Sequence, residues 1–451
     1  MKTFAQGIHP QYHKQKSEQG TILEVPAPAQ VIIPLHQHTG ATCEPLVKVG
    51  DDVVEGQKIG DSSKFISAPV HASMAGKVKK IEKLPHPCGV NILSIVIENE
   101  SAASEDVPIA GHHLPTANHH HVPGTVELLN NTSIDEIRKT VREAGIVGLG
   151  GAAFPTHVKL TPPQDKKIDT LIINGCECEP YITADHRIML ERPEDILFGA
   201  RLMAKAVGAK RIIVGIEGNK EDAIERLNSE INVLGLKDID IDVLETKYPQ
   251  GGEKMLIKAI LNREVPSNGL PLDVGVVVAN VGTAVAVSEA IKIKRPLTRR
   301  VLTLTGSGIK EPKNLLVRIG TSFKHVIESA GSMTEDAAKI VMGGPMMGVA
   351  QYSLEVPVIK ATSCILVLNQ ADAVEAKSYP CVKCARCVDH CPMSLMPTRL
   401  AAYAEYGNYS EFDDWGGMDC IECGCCSFIC PANIPLVQWI KYGKLKLRQL
   451  K

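Results

Sequence analysis

Nine of the chain's 14 cysteines fall between residues 381 and 430, where they form the same pattern twice. The first run reads C-x2-C-x2-C-x3-C-P, and the second repeats this spacing 39 residues later. Two-residue gaps let the backbone curl around one face of a cubane, and the cysteine before proline ligates the neighbouring cluster. The pattern predicts two [4Fe-4S] clusters. The expected ligands are Cys381, Cys384, Cys387 and Cys430 for cluster 1, and Cys420, Cys423, Cys426 and Cys391 for cluster 2.

A pair of zinc knuckles is the alternative for such a segment. Zinc sites generally pair two C-x2-C motifs and do not end in Cys-Pro, so two tandem runs favour iron–sulfur clusters. Cys425 interrupts the second run as an additional cysteine. Because Cys426 keeps the register, we expect Cys425 to be a thiol beside the cluster and not a ligand. Adjacent clusters relay single electrons, so the electron donor and acceptor must lie elsewhere.

A glycine-rich loop, GIVGLGGAAFPTHVK at 145–159, carries the second chemical signal. Gly148, Gly150 and Gly151 allow the backbone to approach a phosphate and to direct N–H groups at it. Lys159 can add positive charge. The loop is not a G-x-G-x-x-G motif after a strand, and an ordinary tight turn is the alternative interpretation.

Polar residues follow the next apolar run, in NGCECEP at 174–180. Asn174, Glu177 and Glu179 are expected at the carboxyl edge of a parallel sheet, where α/β proteins bind ligands. Cys176 and Cys178 have no second cysteine pair nearby, so we expect buried or pocket-lining thiols. No acid/base catalytic residue is expected.

The elements that must position these loops alternate between strands and helices. The apolar runs DTLIING, RIIVGI and DVGVVVAN are separated by helical patterns. One helix starts at SIDE, which has the spacing of a capping box, and another has Pro193 in its first turn. The alternation predicts a Rossmann-like α/β domain with a largely parallel sheet at 130–295.

The flanking regions predict a multidomain chain of α/β and α+β class. Residues 1–105 have strand-like runs broken by glycine and proline, and resemble the β-sandwich of biotinyl and lipoyl carriers. They lack a Met-Lys-Met hairpin, so we expect a scaffold without a prosthetic arm. Residues 106–129 form a histidine-rich linker to which no function is assigned. Residues 298–350 resemble a β-grasp (SLBB-like) module.

The cysteine-rich region at 370–433 has helical patterns and is expected to be an α-helical, two-cluster ferredoxin domain. A basic tail at 434–451 follows, with five Lys or Arg and no acidic residue. A solvated tail is one interpretation of this segment. Docking to an anionic membrane surface or to an acidic partner is the other.

Composition excludes several classes of protein. The 49 Lys+Arg nearly balance the 51 Asp+Glu, so the chain lacks the basic excess of a nucleic-acid binder. No segment reaches the ~18 apolar residues that span a bilayer. The N-terminus has no apolar run typical of a signal peptide, so we expect the chain to stay in the cytosol.

The two central motifs resemble a known flavin site. GLGGAAFPTHVK followed by NGCECEP is similar to the flavin-binding region of the NADH-oxidising subunit of respiratory complex I. The likeness continues through VVVANVGTAVAV and YPQGGEKM. It departs at Ala153, Cys176 and Lys254, which replace a glycine, an aspartate and a glutamate of the family pattern. The resemblance implies FMN and NAD(H), with contacts from Gly148, Gly150, Gly151, Phe154, Lys159, Asn174, Glu177, Glu179, Glu253 and Asn280.

The order of the domains, beginning with IHPQYHK, resembles the RnfC family over essentially the whole chain. Members of this family belong to ion-translocating ferredoxin:NAD+ oxidoreductase (Rnf) complexes. The resemblance implies a peripheral, cytoplasmic-side membrane subunit that exchanges electrons between NAD(H) and partners, including an iron–sulfur subunit and ferredoxin. A soluble reductase of another acceptor, such as a corrinoid, and a scaffold with a vestigial flavin fold remain as alternatives.

Overall fold

A computed structural model describes residues 1–99, 125–374 and 376–450. The histidine-rich segment expected as a linker lies outside the described residues as far as residue 124. Its last residues, 125–129, belong to helix α1 (Thr125–Asn131). Within the described residues the strands form four sheets.

Two small sheets form the N-terminal region. The strands are β1 Leu23–Glu24, β2 Gln30–Pro34, β3 Glu44–Pro45, β4 Asp52–Val53, β5 Lys58–Asp61, β6 Val70–His71, β7 Gly76–Pro85 and β8 Asn91–Glu98. One sheet has the order β2-β8-β7-β4, and the other has the order β3-β5-β6. Buried Val31, Ile33 and Ile95 of the first share a core with Ile59 and Val70 of the second. Strand β1 instead joins a different sheet, beside β14.

The central region is an α/β unit with four parallel strands in the order β11-β10-β9-β12. Its elements are α1, α2 Ile134–Glu143, α3 Thr156–Lys159, β9 Thr170–Asn174, α4 Ala184–Glu191, α5 Pro193–Val207, β10 Arg211–Glu217, α6 Glu221–Val233, β11 Ile239–Leu244, α7 Glu253–Leu261, β12 Val276–Asn280 and α8 Val281–Ile293. Every residue of β12 is buried. Helices cover both faces of a parallel sheet, so its strands are continuous apolar runs, as the sequence predicts.

Local sequence signals fix where these helices begin and end. The Oγ of Ser133 accepts a hydrogen bond from the Glu136 N–H at 3.2 Å, which satisfies one free donor at the start of α2. Pro193 opens α5, where its missing N–H costs nothing. Gly208 ends that helix in a left-handed conformation with φ of 76°, which a side chain would disfavour.

A mixed sheet with the order β1-β14-β13-β17-β15-β16 follows the α/β unit. Its remaining elements are β13 Arg299–Thr305, β14 Lys313–Arg318, α9 Phe323–Ser329, β15 Ala337–Met342, β16 Val349–Ala350 and β17 Cys364–Asn369. Strand β17 lies between β13 and β15, although it falls after residue 350 in the sequence. The sheet therefore contains two strands from outside the 298–350 segment. Strand β1 comes from before the segment and lies at one edge, and strand β17 comes from after it and lies in the middle.

The cysteine-rich region consists of short helices. They are α10 Arg386–Asp389, α11 Pro397–Glu405, α12 Tyr409–Asp414, α13 Cys425–Phe428 and α14 Leu436–Leu450. The two cysteine runs repeat in three dimensions, because left-handed residues recur 39 positions apart. These pairs are Lys383 and Glu422, Ala385 and Gly424, and Ser394 and Asn433. The sequence repeat is therefore also a repeat of backbone conformation.

The segment at 434–451 is not a solvated tail. Most of it is helix α14, which buries Leu436, Ile440 and Leu447 against the rest of the cysteine-rich region. Lys444 is also buried, and its Nζ donates to the carbonyl of Cys420 at 2.8 Å and pairs with Glu422 at 2.7 Å. The buried positions 436, 440 and 447 recur at the spacing of one helix side, which packs inward, whereas Leu445 and Leu450 on the other side are exposed.

A buried lysine joins three parts of the chain. The Nζ of Lys360, after the mixed sheet's β16, donates to the carbonyls of Pro69 and Gly145, each at 2.7 Å. Burial lowers its pKa to about 8. His71 lies beside it, and burial together with the Lys360 charge lowers the pKa of this imidazole to about 3. A neutral histidine therefore lies where the N-terminal sheets meet the glycine-rich loop.

We expect His71→Gln to change how stability depends on pH. The folded pKa of about 3 lies below the ordinary value of 6.5, so unfolding takes up a proton below pH 6.5. The parent protein should therefore lose stability relative to His71→Gln as pH falls from 6.5 to 4, by about 1.4 kcal/mol per pH unit at most. Chemical denaturation of both proteins at several pH values measures this difference. Parallel curves would show that His71 titrates in the folded protein as it does in the unfolded chain.

Candidate flavin and iron–sulfur sites

The glycine-rich loop lies over the carboxyl ends of the parallel strands. The Leu149 N–H donates to the Oγ1 of Thr283 at 2.9 Å, which ties the loop to the start of α8. A Cβ on Gly150 would lie 3.4 Å from the Cβ of Asn280, and a Cβ on Gly151 would meet no atom within 4 Å. The bare backbone at these two positions therefore leaves room for a phosphate, and the residues present fit FMN.

Two asparagines face each other across neighbouring strand ends. Asn174 on β9 and Asn280 on β12 are register partners. The Nδ2 of Asn174 donates to the carbonyl of Gly251 at 2.8 Å. The Oδ1 of Asn280 accepts from the Gly282 N–H at 2.9 Å and caps α8. The structure thus brings Asn174, Asn280 and the glycine-rich loop together at one edge of the sheet.

Lys159 and Glu253 form an ion pair at the same edge. Their side-chain atoms lie 2.6 Å apart, and the Lys159 Nζ also donates to the carbonyl of Val278 at 3.1 Å. Both side chains are about a third exposed, at 32% and 39%. This accessible cation is paired with Glu253 and bound to a carbonyl in the middle of β12, and it offers a positive charge to an anionic ligand. Phe154 is half-buried and follows the glycines, with its carbonyl bound by the Gly148 N–H.

The two glutamates of NGCECEP bind backbone. Glu177 accepts hydrogen bonds from the N–H groups of Asp185 at 2.6 Å and of His186 at 3.2 Å, at the start of α4. Glu179 accepts from Met346 at 3.1 Å and Met347 at 2.8 Å in the Gly-rich turn after β15. Burial raises the pKa of Glu179 to about 7, and these N–H donors oppose the shift. Both carboxylates therefore join segments of the chain around the loop.

Sequence reasoning missed Asp185, which is half-buried beside Asn280. The Nδ2 of Asn280 donates to its Oδ2 at 2.6 Å. Burial, reinforced by the charge of Glu177, raises the pKa of Asp185 to about 7. An acidic residue in the first turn of a helix is ordinary, so no local pattern marked it. Gln250 was also missed. Its amide is fully buried and has no hydrogen-bond partner among the described residues.

The four cysteines expected for cluster 2 line one cavity. Cys391 comes from the first run, and Cys420, Cys423 and Cys426 come from the second. Apolar side chains form much of the remaining wall, including Leu400, Val437 and Ile440 from α11 and α14. Burial raises the pKa of Cys420 to about 11 and of Cys426 to about 12, and the neighbouring sulfurs add to both shifts. Four thiols that converge on one apolar cavity fit a cluster that takes thiolate ligands.

The cysteines expected for cluster 1 lie in a more open position. Cys381 and Cys384 are exposed, Cys387 is buried and Cys430 is half-buried. Burial raises the pKa of Cys387, and the sulfurs of Cys430 and Cys381 contribute to this shift. Sulfurs from both runs therefore meet here too. Among the described residues, no three His, Cys, Asp or Glu side chains are arranged to bind a single metal ion.

A small apolar cluster joins the cluster 2 cavity to the α/β unit. It contains Ile8, Tyr248, Cys423 and Cys425, with Cys178 packed against them. The Tyr248 hydroxyl donates to the carbonyl of Cys423 at 2.7 Å. The Cys425 thiol is buried and points at the Tyr248 carbonyl, 4.0 Å away. We call this cluster the junction. It links NGCECEP to the second cysteine run.

Three protein-family models match this architecture. The Nuo51 FMN-binding domain matches residues 141–289, the RnfC barrel sandwich hybrid domain matches 2–102, and the SLBB domain matches 301–350. The first match includes the glycine-rich loop, both asparagines and the strand ends that hold them. The fold and site thus define a multidomain protein built around an FMN-binding domain of the Nuo51 type.

Relatives are similar over nearly the whole chain. The C subunit of the Na+-translocating ferredoxin:NAD+ oxidoreductase complex of Acetobacterium woodii is 44% identical, covering 99% of this chain and 97% of that protein. The proton-translocating counterpart of Clostridium ljungdahlii is also 44% identical, covering 99% and 94%. The corresponding protein of the ion-translocating oxidoreductase complex of Rhodobacter capsulatus is 42% identical, covering 98% and 83%. The chain belongs to the RnfC family. Helices in its described part are all too short or too polar to cross a membrane.

Gly150→Glu should abolish flavin binding and spare the iron–sulfur clusters. The new side chain would meet Asn280 and place a negative charge where the phosphate is expected. Repulsion of about 3 kcal/mol between the new carboxylate and the phosphate would weaken the affinity for FMN roughly hundredfold. Extracted flavin and iron content measure the two cofactors separately. Gly20→Glu, at a position with no atom near its Cβ, is the matched control. Normal flavin content in Gly150→Glu would place the site elsewhere.

Cys425→Ser should leave both clusters in place. Its sulfur lies at the junction, although it also borders the cavity, and Cys426 supplies the ligand that keeps the spacing of the run. We expect iron and acid-labile sulfide equal to the parent protein, measured after anaerobic purification. Loss of about half the iron would instead make Cys425 a ligand.

Proposed function

We propose that this chain is the peripheral electron-transfer subunit of a membrane-bound, ion-translocating complex. In it the chain exchanges electrons between NAD(H) and ferredoxin or partner subunits, through FMN and two [4Fe-4S] clusters. The names of the relatives, the match to an FMN-binding domain and the two cysteine runs support this function. The observation that carries it is the junction, because it brings a cysteine-lined cavity into contact with the flavin-type domain.

The chain's own groups bind and orient the cofactors. Gly150 and Gly151 would hold the phosphate, Lys159 would neutralise it, and Asn174 and Asn280 would present amides at the strand ends. FMN held by these residues would supply the chemistry that links two-electron hydride exchange with NAD(H) to one-electron transfer. Gly148, Phe154, Glu177, Glu179 and Glu253 remain predicted contacts or supports of this site.

The cysteines of the two clusters differ in burial, and this difference suggests the order in which electrons pass through the clusters. The cluster 2 cysteines line the cavity at the junction, and Cys423 itself belongs to the junction. Cys381 and Cys384 of cluster 1 face solvent. We infer that cluster 2 receives electrons from the flavin domain and that cluster 1 exchanges them with an iron–sulfur partner. The opposite direction of flow would use the same contacts.

The domain division stays a prediction, to which the fold adds that the sheet of the β-grasp module also includes β1 and β17. We propose a carrier-like β domain at 1–105, an FMN/NADH-binding domain at 130–295, a β-grasp (SLBB-like) domain at 298–350 and a two-cluster ferredoxin domain at 370–433. Helix α14 extends that last domain. The partners we propose are the other members of the complex, and the location is the cytoplasmic side of the membrane. The names of the relatives favour this assignment over a corrinoid reductase.

Anaerobic purification followed by NADH titration tests the proposed function. We expect one FMN and roughly eight irons per chain, from the two-motif ligand count. NADH should bleach the flavin and then reduce the clusters. Stoichiometric zinc without iron, or bound flavin that NADH fails to reduce, would contradict the proposal.

The inferred order of the clusters predicts different losses for two serine variants. Cys384→Ser should lose about half the iron, and NADH should still reduce the remaining cluster, while electron transfer to an external protein acceptor fails. Cys420→Ser should lose a similar amount of iron, but NADH should then leave the other cluster oxidised. Freeze-quench EPR after mixing with NADH distinguishes them. The reverse result would make cluster 1 the one that receives electrons from the flavin domain.

A further inference from the structure

The first 14 residues cross the surface where the α/β unit meets the cysteine-rich region. Lys2 extends the edge of the parallel sheet, since its N–H donates to the carbonyl of Val243 at 3.1 Å and its carbonyl accepts from Glu245 at 2.9 Å. Phe4 is buried beneath the Nζ of Lys247, which lies 4.5 Å from the ring centroid. We call residues 1–14 the N-terminal strap. Its first residues are therefore fixed to the flavin-type domain.

The next residues of the strap bind the cysteine-rich region. The Gly7 N–H donates to the carbonyl of His390 at 3.3 Å, directly before the predicted ligand Cys391. The Nε2 of Gln6 donates to the Oγ of Ser394 at 3.3 Å. These contacts lie on the first cysteine run, which supplies one wall of the cluster 2 cavity.

The strap then returns to the flavin-type domain at the junction. Ile8 and Tyr248 exchange two backbone hydrogen bonds of 2.9 Å each, and the Tyr248 hydroxyl binds the carbonyl of Cys423. Farther along, the Tyr12 carbonyl accepts from the Tyr181 N–H at 2.7 Å. The buried Nζ of Lys14 donates to the carbonyls of Glu177 and Ile182. The strap thus bonds in turn to both sides of the expected flavin-to-cluster contact.

We propose that the N-terminal strap is the positioning element that sets the separation between the flavin site and the cluster 2 cysteines. This inference rests on the proposed function. No strap residue is itself a predicted cofactor ligand, and the strap acts through its contacts with Tyr248, His390 and Glu177. Electron transfer weakens steeply with distance, so a strap that is displaced from the junction should slow it.

Gly7 provides a focused way to displace the strap. Its φ is +83°, and a Cβ there would lie 2.7 Å from the Tyr248 carbonyl oxygen. Gly7→Ala should therefore push the strap away from the junction. Gly20→Ala is the matched control, because a Cβ at that position meets nothing within 4 Å. Tyr248→Phe is a milder second variant, which removes only the hydroxyl that binds Cys423.

A kinetic test distinguishes reduction of the flavin by NADH from electron transfer to the clusters. After mixing with NADH, Gly7→Ala and Tyr248→Phe should bleach flavin at the parent rate, whereas cluster reduction should slow several-fold. Gly20→Ala should match the parent in both steps. Parent rates of cluster reduction in both Gly7→Ala and Tyr248→Phe, or loss of flavin and iron from both, would overturn the proposal. The second result would make the strap a folding element.

A second test measures a distance and not a rate. Spin labels on noncanonical residues at Val233 and Tyr406, both highly exposed, report the distance between the two regions in the oxidised holoprotein. Gly7→Ala should broaden or shift the distance distribution, and Gly20→Ala should not. An unchanged distribution in Gly7→Ala would overturn the positioning role. A parent protein that NADH cannot reduce would instead contradict the proposed function, whatever the labels report.

Discussion

The hydrogen bond from the Tyr248 hydroxyl to the Cys423 carbonyl joins two regions that the sequence separates by 175 positions. Both groups are buried, and a buried polar group without a partner costs about 1–3 kcal/mol. Neither region can satisfy its group alone. The contact therefore favours one arrangement of the flavin-type domain against the second cysteine run, and the expected electron path depends on that arrangement.

Buried cations stabilise the loop that faces this contact. Lys220 is fully buried, and its Nζ donates to the Cys176 carbonyl and pairs with Glu217 at 3.1 Å. Lys14 holds the carbonyls of Glu177 and Ile182 from the other side. Taking an ammonium out of water is costly unless its donors are satisfied, so each lysine fixes the carbonyls that surround it. The NGCECEP loop is thereby held from two directions.

Two glycines at this interface let the neighbouring backbone segments approach closely. A Cβ on Gly344 would lie 2.2 Å from the Glu179 Oε2, and one on Gly424 would lie 2.9 Å from the Met346 carbonyl. The turn after β15 can therefore reach both the NGCECEP loop and the second cysteine run. The mixed sheet thus packs against the flavin-type domain and the cysteine-rich region at once, and it closes the junction from a third side.

The sequence by itself determined what depends on local spacing. The cysteine intervals predict which sulfurs could share a cluster, and the alternating strands and helices predict that Asn174 lies at the carboxyl edge of a parallel sheet. Only the fold shows that Asn280 ends the neighbouring strand. Tertiary structure decided what depends on distant partners. Glu177 and Glu179 bind whichever N–H groups packing brings within hydrogen-bond reach, and α14 is an inward-facing helix because an apolar surface is there to receive it. The path of the N-terminal strap was equally invisible, since the hydrogen bonds that tie it to Val243, Tyr248 and His390 end on residues far away in the sequence.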